Sequence, residues 1–92
     1  MTPEQLAAKG LRVKELEWWE PSSKNNQTHG AACQFGTYYI HIDGGRHQAF
    51  LETFAAPFEV TCGPEVGRLY EAKAAAQADY EARVLAALVE VG

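Results

Sequence analysis

Two spacings of apolar residues organise this chain. Between residues 37 and 52 every second residue on each side of Gly44-Gly45 (Tyr38, Ile40 and Ile42, then Ala49 and Leu51) is apolar, the period of a strand with one covered face. From residue 68 to 89 they recur at steps of three and four. There Leu69, Ala72, Ala76, Tyr80, Val84, Ala87 and Leu88 line one face of a 3.6-residue helix. The second stretch is rich in alanine and has no Gly or Pro, so its composition agrees with its period. Asp79 and Arg83 stand four apart in the favourable order. At 1.5 Å per residue such a helix runs about 33 Å, enough to cross a small sheet. Its stripe of small residues allows close approach, with Tyr80, Val84 and Leu88 as the larger knobs.

The alternating stretch predicts a hairpin. Residues 37–43, TYYIHID, are β-branched and aromatic, and Gly44-Gly45 accept the positive φ values of a two-residue turn. Residues 47–52 return. With that turn, Ile42 faces His47, Ile40 faces Ala49 and Tyr38 faces Leu51, and this side suits the helix. The other side carries Tyr39, His41, Asp43, Arg46, Gln48 and Phe50, with Tyr39 opposite Phe50. Two rings on the polar face of a small sheet exceed what random exposure requires.

Other segments follow the same logic. Thr2-Pro3-Glu4-Gln5 is a capped helix start, and Gly10 stops a helix of little more than a turn. Residues 11–19 alternate with a change of parity near Lys14-Glu15, which predicts a strand with a bulge or bend. Trp18 and Trp19 then face opposite ways, one to the core and one to the surface. Residues 20–30, EPSSKNNQTHG, are a polar loop, either a disordered surface excursion or one whose tip at 24–27 offers amide groups to a partner. Residues 31–35 form a strand that breaks at Gly36, residues 58–62 form a short edge strand, and Gly67 caps the final helix. The expected architecture is a single α+β domain over 1–92. It has a small antiparallel sheet of three to five strands, a short N-terminal helix, and the long C-terminal helix on one face.

Composition narrows the function classes. Apolar content of 47% and charged content of 22% suit a folded domain. No run of about 18 apolar residues exists, so no membrane partner is expected. The N-terminus lacks a basic start and an apolar core segment, so it is not a signal peptide and a cytoplasmic protein is expected. The net charge of −4 is uneven. Residues 1–51 balance five basic against five acidic groups, whereas residues 52–92 hold three basic and seven acidic ones. That acidic half argues against a phosphate-binding role and fits a basic partner or a merely solvated face.

Residues 36–40, GTYYI, followed at 71–83 by EAKAAAQADYEAR, resemble small uncharacterised phage and prophage proteins of alphaproteobacteria. Those proteins have an aromatic-rich G-x-Y-x-I run and an AKAAAQADYE helix. The resemblance covers about residues 36–88 and brings no catalytic residues. It implies a phage context in a bacterial host cell. Small acidic phage proteins of this kind sometimes resemble anti-CRISPR inhibitors, which bind defence complexes and block nucleic-acid binding.

Candidate chemistry is sparse. Cys33, Cys62, His29, His41 and His47 lack zinc-site spacing, and no P-loop, G-x-G-x-x-G or nucleophile elbow is present. Neither an enzyme nor a cofactor is expected, and the cysteines read as buried free thiols. The aromatic face has three readings: a protein or homodimer interface, intramolecular core, or a platform for unpaired bases. Charge ranks nucleic acid last. The leading expectation is a protein-binding module, as an inhibitor of a type I CRISPR surveillance complex. Tyr39, Phe50 and Trp19 would anchor it, and Glu52, Glu59, Glu65, Glu71, Asp79 and Glu81 would meet a basic surface. The alternatives are a small nucleic-acid-binding regulator and a structural or scaffold phage protein.

Overall fold

Gly44 and Gly45 adopt φ of 56° and 78°, the left-handed pair that a tight hairpin turn demands. The turn joins β2 (Gly36–Asp43) to β3 (Arg46–Thr53) in the register expected, with Tyr38 opposite Leu51, Ile40 opposite Ala49 and Tyr39 opposite Phe50. In this computed structural model, residues 2–19, 29–55 and 58–88 are described. β1 (His29–Cys33) and β4 (Glu59–Thr61) flank the hairpin, giving a four-stranded antiparallel sheet in the order β1-β2-β3-β4. α1 (Pro3–Ala8) precedes the sheet and α2 (Leu69–Ala87) follows it, so the fold is α+β as expected.

Alternation divides the strands between two faces. Ala31, Tyr38, Ile40, Ala49 and Leu51 point inward and are almost wholly buried. α2 lies against that face through Ala72 and Ala76, both sealed from solvent. Alanine at these positions brings the helix backbone close to β2 and β3, which is why methyl groups carry this contact. Tyr80 closes the end of the core, edge-on to Phe35 and to Tyr38 at 6.1 Å each, and its hydroxyl donates to Gln34 Oε1.

Gly36 has no substitute where it stands. Its φ is +145°, and a β-carbon there would run into the Glu52 carbonyl of β3. Removing the side chain is what lets β2 begin directly after the Gln34-Phe35 turn.

α1 forms as its sequence predicts. Thr2 Oγ1 accepts from the Gln5 amide and Gln5 Oε1 accepts from the Thr2 amide, a complete capping box. Gly10, at φ 73°, ends it, with the Gly10 and Leu11 amides donating back to Ala7 and Leu6.

Several expectations need correction. Residues 11–18 form neither helix nor strand, and of this stretch only Trp19 forms a bridge, to Gly30. Among the described residues, no strand pairs with them. Gln77 of α2 substitutes for one, accepting from the Leu16 amide at 2.8 Å and donating to the Lys14 carbonyl, and Leu16 is buried as a result. β1 starts at His29, so His29 and Gly30 belong to a strand, while the rest of the loop expected over 20–30 lies outside the described residues; Gln34 and Phe35 belong to a turn. The amide-rich tip at 24–27 lies outside the described residues. Arg68, not Gly67, is the N-cap of α2, and the helix ends at Ala87 with Leu88 as an exposed C-cap. Leu88 is therefore no knob, and Val84 is only half-buried.

Candidate partner-binding face

α2 covers one face of the sheet. On the other, Gly30, Tyr39, Phe50 and Thr61 stand side by side in register across β1 to β4. Trp19 completes that row. Its amide donates to the Gly30 carbonyl at 2.8 Å, and its indole occupies the space where a Gly30 side chain would stand. Tyr39 and Phe50 stack at 5.4 Å with their planes 18° apart, and His41 meets Phe50 edge-on at 6.4 Å. Trp19 keeps half its surface exposed. The three aromatic residues expected to act together are thus brought together.

Carboxylates border this row. The Tyr39 hydroxyl donates to Glu59 Oε2 at 2.8 Å, and Glu52 stands directly opposite Glu59 across the β3–β4 pair. Burial, and then the bond to Glu59 with the charges of Glu59 and Glu52, push the Tyr39 phenol up to about 12. At the far end Asp43 pairs in register with Arg46. Arg46 also makes a long, solvent-exposed ion pair with Glu65 at 3.9 Å.

The six acidic residues expected to form one surface do not. Glu52 and Glu59 border the aromatic row and Glu65 lies at its distal end. Glu71, Asp79 and Glu81 sit on α2, behind the sheet. Glu71 is exposed in the first turn, where it suits the helix dipole. Glu81 is half-buried at a groove between α1 and α2, beside Leu6, Leu11 and Leu85.

Asp79 corrects the expectation outright. It faces the sheet, accepting from the Tyr38 hydroxyl at 2.6 Å and from Arg83 Nε at 2.7 Å. Burial, then the bond to Asp79, push the Tyr38 phenol far above its ordinary value. Burial, then the charge of Asp79, push the nearby Cys62 thiol up to about 12. These groups form a partly buried polar network, of which sequence reasoning expected the Asp79–Arg83 pair and missed the rest. Its signal was the spacing 72, 76, 79, 83, a helical face as regular as the one through Tyr80. The contact of Lys73 Nζ with the Trp18 ring, at 5.6 Å, was missed as well.

Cys62 is buried and Cys33 half-buried, both as free thiols. His41 and His47 lie on opposite faces of the sheet, as the hairpin register requires. Among the described residues, no group of three or more His, Cys, Asp or Glu gathers as metal ligands would, and no helix is long and apolar enough to cross a membrane. Comparison with protein-family models, curated proteins and solved structures found no match to this chain.

Proposed function

We propose that this chain is a protein-binding module, without chemistry of its own, that presents the sheet face opposite α2 to a partner with a basic surface. One observation carries the reading: the face opposite α2 bears a row of Trp19, Tyr39 and Phe50 bordered by Glu52 and Glu59. Aromatic side chains supply rigid contact area at protein interfaces, and the carboxylates bias the choice of partner toward positive charge. The same carboxylates weigh against a platform for unpaired bases, because negative charge beside the stacked rings repels a phosphate backbone.

The more specific form, inhibition of a type I CRISPR surveillance complex in a bacterial host, rests on the resemblance of residues 36–40 and 71–83 to phage proteins. It is tested by measuring target-DNA association of a purified complex of that type with and without this protein. The inhibitor reading expects DNA association to fall in proportion to added protein, and a Tyr39→Ala/Phe50→Ala variant to lose the effect. Unchanged DNA association, with no complex formed between the two, overturns the inhibitor reading.

A further inference from the structure

Glu52 and Glu59 are directly opposed across an antiparallel pair, an arrangement in which like charges repel. Among the described residues neither has a cationic partner. The nearby cations are engaged elsewhere or lie apart: Arg46 pairs with Glu65, Arg83 with Asp79, and Lys73 lies over Trp18 behind the sheet. Tyr39 nonetheless holds one oxygen of Glu59 by its hydroxyl, so this carboxylate is oriented while its charge is unmatched. Immediately beside the pair lies the Tyr39–Phe50 stack.

We infer that this face docks an arginine-bearing segment of a partner protein, with a guanidinium laid on the Tyr39–Phe50 stack and paired to Glu52 and Glu59. The inference deepens the protein-binding reading and rests on it. Charge complementarity selects a cation. The combination of stacked aromatic rings with adjacent carboxylates selects arginine over lysine. A guanidinium is planar, stacks on rings and offers several donors in a fixed fork, whereas an ammonium is a compact, strongly hydrated point charge. A cation between the two carboxylates also relieves their mutual repulsion, so the site gains from occupancy in a way that a solvated acidic patch does not.

The test is calorimetric titration of the full chain with a short arginine-repeat peptide and with a lysine-repeat peptide of equal length and charge. The arginine peptide is expected to bind several-fold more tightly. The E52Q/E59Q pair and, separately, Tyr39→Leu are each expected to weaken it about tenfold, with circular dichroism unchanged. The E71Q/E81Q pair on α2 removes the same charge from behind the sheet and is expected to leave affinity intact.

Equal affinity for the two peptides, or loss of binding only in E71Q/E81Q, overturns the arginine site while leaving a basic partner in place. Failure of both peptides to bind overturns the basic-partner reading itself. Two results would reassign the face. Binding of a single-stranded oligonucleotide that Tyr39→Leu abolishes would give it to nucleic acid. A dimer in light scattering that E52Q/E59Q dissociates would give it to a second copy of this chain.

Discussion

The Tyr38 hydroxyl donates to Asp79 Oδ2 at 2.6 Å, tying β2, an inner strand of the sheet, to the helix that covers it. Tyr38 is wholly buried, and Asp79 is also held by Arg83 from the next helical turn. Deleting the hydroxyl therefore removes a charge-assisted bond and leaves packing almost intact. Tyr38→Phe is expected to cost about 1.5–3 kcal/mol in urea denaturation. Asp79→Ala, which strands both the phenol and the guanidinium, is expected to cost more. An unchanged midpoint in Tyr38→Phe would mean that this bond contributes nothing net.

Alkaline pH should destabilise the fold through the same region and its neighbour. Tyr38, Tyr39 and Cys62 all have raised values, the latter two to about 12 from 10.0 and 9.0. A raised value means that the unfolded chain gives up its proton first. The stabilisation is therefore fully present below the unfolded value and lost as pH rises toward the folded one. The denaturation midpoint is expected to hold up to about pH 9 and then to fall as pH climbs toward 12. Tyr39→Phe should make that fall shallower. A midpoint that holds or rises across the range would contradict the assignment.

Two glycines should answer very differently to alanine. At Gly36 the positive φ and the facing Glu52 carbonyl leave no room, so Gly36→Ala is expected to destabilise by more than about 2 kcal/mol. At Gly30 the obstacle is the ring of Trp19, an exposed side chain that can swing away. Gly30→Ala should leave the melting temperature nearly unchanged and alter tryptophan fluorescence, since the indole is displaced into solvent. A large stability loss in Gly30→Ala would mean that the Trp19 bridge holds the edge of the sheet.

The two thiols should separate by reactivity. Cys62 is 7% exposed and its thiol is held protonated, whereas Cys33 is half-buried on β1. At neutral pH an alkylating reagent should modify Cys33 first and reach Cys62 only on unfolding, by mass spectrometry under native and denaturing conditions. Equal rates in the folded protein would contradict the burial of Cys62.

The sheet was legible because its turn was. Gly44-Gly45 fixed one register, and with a period of two that register assigned every side chain from Tyr38 to Leu51 to a face. The aromatic pair of Tyr39 and Phe50 followed directly. Residues 11–19 misled because alternation reports a covered face without naming what covers it. Here a glutamine side chain on α2, 61 positions away in sequence from Leu16, takes the place of a neighbouring strand. Asp79 misled for the opposite reason. Charged residues on a helix are ordinarily solvated, and only the buried Tyr38 hydroxyl opposite explains why this one turns inward. The opposition of Glu52 and Glu59 depended on pairing an edge strand of three residues, too short to carry its register in its own pattern.

The central claim is that the sheet face opposite α2 is the working surface. Its most direct test is a map of backbone amide shifts as the arginine-repeat peptide is titrated into the full chain. The account predicts that the largest changes fall at Tyr39, Phe50, Glu52 and Glu59 and in the side-chain signal of Trp19. Changes centred on Glu71 and Glu81 of α2, with the sheet face silent, would contradict it.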